Sequence, residues 1–158
     1  MNRAYKFVGS SRRAMSSEII AVAADHAGYE LKETLKRELE AMGFAVLDLG
    51  TGGAEPVDYP DIADALAEAM GAGRAGRGLL VCGSGIGIAI AANRHRHLRA
   101  AVCNDASGAR LARSHNDANV LALGARLIGV EAAKDCLRTF FTTPFEGGRH
   151  ARRVGKLS

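Results

Sequence analysis

Tryptophan is missing from this 158-residue chain, and phenylalanine and tyrosine bring its aromatic content to only 5%. So few aromatic side chains argue against a surface on which the bases of single-stranded nucleic acid could stack. Long apolar runs are missing too, since none approaches the roughly 20 residues that a membrane-spanning helix needs. The three cysteines form no CxxC pair, which argues against a disulfide framework and a zinc site. We therefore expect a cytoplasmic protein whose partners include neither nucleic acid nor a membrane.

The net charge of +4 comes from the two ends of the chain. Residues 1–17 and 149–158 each carry four basic residues and no acidic one, which leaves 13 basic and 17 acidic residues between them. A body with this acidic excess offers no general surface for nucleic acid. Because residues 1–17 are rich in Arg and Ser, we expect a disordered N-terminal extension; an organelle transit peptide and a true start at Met15 are the alternatives. Residues 18–158 would then form a single domain with a basic C-terminal tail.

Apolar runs alternate with segments of helical periodicity along this domain. The runs predicted as strands are IIAVAA (19–24), FAVLDLG (44–50), GLLVCG (78–83), RAAVCN (99–104) and NVLALG (119–124). Helices are predicted over 28–42, around Ile62 to Met70, in an Ala-rich segment up to about His97, over 106–114, over 130–141 and in the basic end. Apolar strands separated by helices are typical of a parallel sheet covered on both faces. The predicted fold is therefore an α/β three-layer sandwich with a five-stranded parallel Rossmann-like sheet, in which ligands bind beyond the carboxyl ends of the strands.

One of these strand ends reads VCGSGIGI (81–88), with Cys82 directly before three alternate glycines. Glycines let the backbone approach a ligand, and amides at a helix N-terminus attract anions and favour the thiolate form of a nearby cysteine. The loop is not a dinucleotide fingerprint, because Ile88 stands at the sixth position of GxGxxG, and no GxxxxGK[ST] occurs in the chain. A tight strand-to-helix turn beside a buried cysteine is the structural alternative.

Two polar segments are further candidates for functional sites. RSHNDANV (113–120) contains His115 and Asn116, and a histidine in a polar loop can act as an acid or base near neutral pH, although it can equally be an exposed passenger beside capping residues. Arg149 and Arg153 would share one helix face, where a bound phosphate would explain two neighbouring like charges; a solvated basic tail is the alternative. Three other histidines are expected on the surface: His95, His97 and His150.

Taken together, five stretches resemble the ribose-5-phosphate isomerase B family. They are DHAGYELK (25–32), DYPDIA (58–63), VCGSGIGIAIAANR (81–94), RSHNDANVLALGAR (113–126) and FEGGRHARRV (145–154). The resemblance implies an enzyme of the pentose phosphate pathway that interconverts D-ribose 5-phosphate and D-ribulose 5-phosphate through a cis-enediolate, without metal or cofactor. It also implies a homodimer, or a tetramer, with active sites at the interface. The wider family includes isomerases of allose 6-phosphate and galactose 6-phosphate, so a six-carbon substrate is the alternative, and a non-catalytic sensor of phosphorylated sugars is a remote one.

The resemblance also implies a role for each motif residue. Cys82 would be the base that moves a proton from C2 to C1, Ser84 would hydrogen-bond near the reacting carbons, and His115 would open the furanose ring. The amides of residues 83–87 would stabilise the enediolate oxygen. One branch of the family has a glutamate base where this chain has Ile88, which groups the chain with the cysteine branch. The implied substrate-binding residues are Asp25, His26, Tyr59, Gly83, Gly85, Ile86, Gly87, Asn116, Arg126, Arg149 and Arg153.

Within that set, the resemblance implies that some residues bind the phosphate and others bind the sugar. His26, Arg149 and Arg153 would clamp the phosphate, whose binding energy positions the remote carbons for reaction. Asp25 and Asn116 would hold hydroxyls or the ring oxygen. The partner chain would contribute His115, Asn116 and Arg126.

Overall fold

The computed structural model describes residues 17–157, so the predicted N-terminal extension lies outside the described residues except for Ser17. The strands are β1 (Ile19–Ala24), β2 (Ala45–Asp48), β3 (Arg77–Cys82), β4 (Ala100–Val102) and β5 (Val120–Gly124). The helices are α1 (Tyr29–Ala41), α2 (Tyr59–Gly71), α3 (Ile86–Ala92), α4 (Ala106–Asn116), α5 (Val130–Thr142) and α6 (Arg149–Val154). A single 3-10 turn, His26–Gly28, joins β1 to α1.

The five strands form one parallel sheet in the order β2-β1-β3-β5-β4. One face packs against α1, α4 and α5 through side chains such as Leu35 and Leu137, and the other packs against α2 and α3 through Leu66 and Ile88. Because both faces are covered, the central strands are apolar except at Arg77, the first residue of β3. This arrangement confirms the predicted three-layer α/β sandwich. No helix within residues 17–157 is long and apolar enough to cross a membrane.

The largest difference from the predicted helices concerns α3, which ends at Ala92 and does not continue to His97. The helix ends there because the side chain of Asn93, the next residue, binds the segment that leads into β4. Asn93 donates its amide to the Ala100 carbonyl at 2.9 Å and accepts from the Ala100 N–H at 2.7 Å. This pair of bonds ties the end of α3 to the start of β4, and such a contact leaves no mark on the helical periodicity of the sequence.

A buried lysine fixes the loop that follows β2. Lys32, on α1, is 1% exposed, and its Nζ donates to Asp48 Oδ1 at 2.7 Å and to the Thr51 carbonyl at 2.8 Å. Burial by itself raises the pKa of Asp48, but hydrogen bonds from Lys32, Lys36 and the Gly50 amide outweigh it and lower the pKa. The loop between β2 and α2, which leads towards the carboxyl edge of the sheet, is therefore anchored to α1.

Candidate active site

The carboxyl ends of the three central strands border a cleft of about 590 Å³. Because β1, β3 and β5 are neighbours in the sheet, the residues that follow them lie side by side. The cleft is lined by Asp25, Tyr59, Cys82, Gly83, Ser84, Ile86, Gly87, Arg126 and Leu127. The structure thus brings together predicted residues at or beyond the ends of β1, β3 and β5 with Tyr59 of α2, and it adds Leu127, an apolar residue that no motif had marked.

Cys82 is the last residue of β3 and lies almost buried at the floor of this cleft. Its Sγ accepts a hydrogen bond from the Gly85 N–H at 3.1 Å. This contact holds the sulfur against the backbone of the glycine loop, within reach of its amides. The neighbouring Ser84 Oγ accepts from the Ile86 N–H at 3.1 Å, which holds the hydroxyl at the first turn of α3.

Two glycines of the loop are required by geometry. Gly85 has a φ of 77°, and a Cβ there would lie 2.8 Å from the Leu123 carbonyl carbon. A Cβ on Gly87 would lie 2.8 Å from the ring of Tyr59, which begins α2 and covers the loop. The glycines therefore allow the loop to pack against β5 on one side and beneath the tyrosine on the other.

Asp25 and His26 follow β1 and face the same edge of the sheet. Asp25 is buried, and its Oδ1 accepts from the Gly28 N–H at 3.1 Å, which caps the 3-10 turn. The Val57 N–H donates to His26 Nδ1 at 3.2 Å. Since a backbone amide can only donate, the neutral imidazole must carry its proton on Nε2. His26 is therefore fixed as a hydrogen-bond donor through Nε2, the atom that remains free to bind a ligand.

Arg126 departs from the sequence-based expectation, which assigned it to the partner chain. Its Nη1 would lie 3.5 Å from a Cβ on Gly83 of the same chain, and it lines the cleft that holds Cys82. The reason is the backbone after β5, where the Ala125 N–H donates to the Cys82 carbonyl at 2.8 Å and the Arg126 N–H to the Gly83 carbonyl at 2.9 Å. These bonds place Arg126 with its own Cys82.

A second group of predicted residues forms around the end of α4. The rings of His115 and His150 are stacked, with centroids 4.3 Å apart and planes 13° apart. The expectation that His150 lies on the surface is wrong, since it is only 9% exposed. Burial, with the positive charges of His115 and Arg149, lowers the pKa of His150, and Arg153 adds to the effect while Glu146 opposes it.

Arg149 and Arg153 share this location because they lie on α6. The helix forms as predicted, and both side chains are exposed on it. The segment before α6 is attached to α4, where the Glu146 N–H donates to the Ser114 carbonyl at 3.1 Å and Arg113 Nε donates to the Thr143 carbonyl at 3.3 Å. The two arginines therefore belong to the group of His115.

The two groups lie at opposite edges of the sheet. The helix α4 leaves the carboxyl end of β4 and runs back to the amino end of β5, as every helix between parallel strands must. His115 is at its far end, where Arg99 Nε donates to the Asp117 carbonyl at 2.8 Å just ahead of β4. From Ala106 to His115 the helix rises by about 14 Å at 1.5 Å per residue. One chain therefore does not bring His115 within hydrogen-bond reach of its own Cys82.

Comparison with known proteins identifies the family. Residues 20–157 match the family model described as Ribose/Galactose Isomerase. Ribose-5-phosphate isomerase B of Escherichia coli (strain K12) is 44% identical over 139 residues, which cover 88% of this chain and 93% of that protein. D-erythrulose-4-phosphate isomerase of Pectobacterium atrosepticum is 44% identical over 140 residues, covering 87% of this chain and 91% of that protein.

Solved structures agree in fold over the same range. A ribose 5-phosphate isomerase from Thermotoga maritima shares 51% sequence identity and superposes with a TM-score of 0.86, covering 89% of this chain and 97% of that one. Ribose-5-phosphate isomerase B of Clostridium thermocellum shares 48% identity, also with a TM-score of 0.86, over 88% of this chain and 94% of that one. The chain belongs to the ribose/galactose isomerase family, as its motifs predicted.

Proposed function

We propose that this member of the ribose/galactose isomerase family interconverts D-ribose 5-phosphate and D-ribulose 5-phosphate. The observation that carries the proposal is the Cys82 thiol, held at 3.1 Å from the Gly85 amide at the mouth of a glycine loop. Isomerisation needs a base at one carbon and donors for the oxygen that becomes negative on the adjacent carbon. A thiolate beside a row of backbone amides offers both within the span of one substrate. The Escherichia coli relative, which is named for this substrate, supports the choice of sugar.

In the proposed reaction the Cys82 thiolate takes the proton from C2 of the open-chain aldose. The electron pair moves into a C1–C2 double bond, and the amides of the glycine loop stabilise the resulting enediolate. Cys82 then returns its proton to C1, while a proton passes from the C2 oxygen to the C1 oxygen, and Ser84 hydrogen-bonds near these atoms. Atoms and electrons balance without a redox partner.

Ring opening and phosphate binding complete the proposal. His115 would transfer the proton that opens the furanose, and Asn116 beside it would hold a sugar oxygen. His26, through its Nε2–H, would bind the phosphate together with Arg149 and Arg153, because charge-assisted bonds to phosphate are strong. Arg126 would bind the substrate from the chain that supplies Cys82.

Since His115 and Cys82 lie at opposite edges of one sheet, the proposal requires a homodimer in which each site combines two chains. Three large apolar side chains around the cleft support such an interface: Tyr59, Ile86 and Leu127 are 41%, 52% and 60% exposed. A second copy that covers them would bury apolar surface and deliver its own α4 and α6 to the cleft. A tetramer built from such dimers keeps the same sites.

We also propose a cytoplasmic location. The three cysteines are free and buried, which fits a reducing compartment. Fractionation of the producing cells, with the protein followed by an antibody, would check this.

The relatives also bear on the length of the sugar. The relatives named for ribose 5-phosphate and for D-erythrulose 4-phosphate are both 44% identical to this chain. Overall similarity therefore does not choose between a four-carbon and a five-carbon substrate, and the six-carbon phosphosugars are further alternatives.

A substrate panel on the purified full chain tests the proposal. We expect the highest kcat/KM for ribose 5-phosphate, and lower values for D-erythrulose 4-phosphate, allose 6-phosphate and galactose 6-phosphate. The Cys82→Ala variant serves as the control for contaminating isomerases, since its rate on every sugar should be at background. A preference for another phosphosugar would change the substrate and keep the chemistry, whereas no Cys82-dependent turnover of any of them would refute the proposal.

A further inference from the structure

The stacked histidines at the end of α4 have an acidic neighbour. Donor atoms of His115, Glu146 and His150 all lie within 4.8 Å of one another, and Glu146 Oε2 is 3.6 Å from His150 Nε2. The grouping joins α4, the segment before α6, and α6 itself. His115 is far from Glu146 and His150 in the sequence, and the three residues follow no zinc-ligand motif. Their spacing therefore did not predict the cluster.

Two imidazoles and one carboxylate are a donor set that zinc binds in proteins. Bonds of about 2.0–2.1 Å to each donor would put the donor atoms about 3.4 Å apart in a tetrahedral site, so the cluster must contract slightly around an ion. The stacked rings lie in nearly parallel planes, and one ring must also turn to aim its lone pair at the ion. His115 is only partly buried and lies near the C-terminus of α4, so its ring is the one expected to turn.

We propose that His115, Glu146 and His150 form an inhibitory site for Zn²⁺ or a similar borderline divalent metal. A metal bound there occupies the imidazole lone pair of His115 that would otherwise accept or deliver the proton for ring opening. The inhibitory role therefore rests on the proposed function, while the binding of the metal does not. Imidazole donors favour Zn²⁺, Ni²⁺ and Cu²⁺ and discriminate against Mg²⁺.

The charges around the cluster set the expected strength of the site. Glu146 contributes one negative charge, and the side chain is 57% exposed, so it can turn towards an ion. Arg149 and Arg153 lie on the same short helix as His150 and repel a cation. We therefore expect weaker binding than at a structural zinc site, and reversal by a chelator.

Calorimetric titration of the metal-free full chain with Zn²⁺ tests the site directly. We expect one Zn²⁺ per chain, with affinity reduced about tenfold or more in Glu146→Gln, which removes a ligand charge but preserves the shape of the side chain. Glu131→Gln is the matched control, because Glu131 is an exposed carboxylate on α5 with a Lys134 neighbour at 3.8 Å, away from the cluster. Its affinity for Zn²⁺ should equal that of the unmodified protein, and Mg²⁺ should not bind at the cluster.

The inhibitory role is tested by the rate of ribose 5-phosphate conversion at increasing Zn²⁺, with each variant compared with its own metal-free rate. The inhibition curve of Glu146→Gln should shift by the same factor as its affinity. Zn²⁺ could also inhibit by binding the Cys82 thiolate. Titration of Cys82→Ala with Zn²⁺ distinguishes the two sites, because binding at the thiolate would be lost in this variant and binding at the histidine cluster would remain.

These measurements separate the site from the proposed function. No Zn²⁺ binding, or binding that Glu146→Gln leaves unchanged, would overturn the site even if the protein is an active isomerase. Binding at the cluster without a shift of the inhibition curve would overturn the inhibitory role alone. Binding at the cluster by a protein that isomerises no phosphosugar would refute the proposed function and leave the metal site in place.

Discussion

Two inactive variants should restore each other's activity if each active site combines two chains. The variants are Cys82→Ala, which removes the base, and His115→Asn, which removes the proposed ring-opening group. His115 lies at the end of α4 that faces the amino edge of the sheet, about 14 Å along the helix from its start, whereas proton transfer needs contact within about 3 Å. Each pure variant should therefore be nearly inactive on ribose 5-phosphate, whose ring must open first.

The expected recovery follows from symmetry. When equal amounts of the two variants are unfolded together and refolded, about half of the dimers contain one chain of each kind. One site of a mixed dimer receives both substitutions and the other receives neither. Intact sites then make up about a quarter of all sites, so the mixture should regain about a quarter of the unmodified activity.

Two further mixtures of variants serve as controls. Arg126 lies in the cleft of its own Cys82, so a mixture of Arg126→Ala and Cys82→Ala leaves one defect in every site and should show no gain over the average of the two parents. A mixture of Arg153→Ala and Cys82→Ala should gain activity, since Arg153 lies on α6 with the group of His115. Mass spectrometry under native conditions confirms that mixed dimers have formed. Their presence without any recovery in the first mixture would refute the division of the site between chains.

The other predictions concern the base, the absence of an essential metal, the phosphate clamp and the anchored loop. Cys82→Ala should lower the rate of isomerisation, and of solvent exchange of the C2 proton, by at least about 10²–10⁴-fold while ligand affinity measured by calorimetry stays unchanged; near-normal turnover would remove the thiol from the mechanism. Dialysis against EDTA should leave activity unchanged or raise it, and a loss that a divalent ion restores would show that a metal is required. The double substitution of Arg149→Ala and Arg153→Ala should raise KM for the phosphosugar severely and hardly alter the poor turnover of unphosphorylated ribose, whereas an unchanged KM would make these residues a solvated surface. Asp48→Asn should lower the free energy of unfolding by about 1–3 kcal/mol at neutral pH, because it leaves the buried Lys32 charge without its main partner and Asp48 itself is partly exposed. Since the folded-state pKa of Asp48 is lowered, that difference should be constant above about pH 5 and should shrink as the pH falls through the lowered pKa; a difference that persists in acid would contradict the ion pair as its source.

The fold was predictable because each strand and each helix has a characteristic pattern of apolar residues, which the sequence shows directly. IIAVAA was predicted as a strand over residues 19–24 and forms β1 over the same residues, since a strand buried on both faces is apolar at every position. The helices were recognisable from one apolar face each. The end of α3 was not, because it is set by the Asn93 side chain and its two bonds to Ala100, which are contacts between elements.

Most residues that line the cleft were predictable from motifs, and their arrangement was less so, while the catalytic roles stay predictions. Motifs identified Cys82 and His115, but only the order of the strands shows that β3 lies beside β5, which brings Arg126 into the cleft of its own chain. The burial of His150 depends on the stack with His115, and no local pattern indicates a stack between residues on different helices. Contacts that depend on tertiary packing were the ones that the sequence did not reveal.

The division of the proposed site between two chains has a consequence for substrate choice. Cys82 would act on the first two carbons of the sugar, and Arg149 and Arg153 of the second chain would bind the phosphate at its other end. The separation between these points decides whether four, five or six carbons fit. It would depend both on the distance from Cys82 to His26, which shares the phosphate within the first chain, and on how the two chains dock. Substitutions among exposed apolar residues at the rim, such as Ile86 and Leu127, could alter that separation and leave the catalytic residues unchanged. The proposal thus predicts that relatives of equal identity to this chain, such as those named for ribose 5-phosphate and for D-erythrulose 4-phosphate, differ in how their two chains dock.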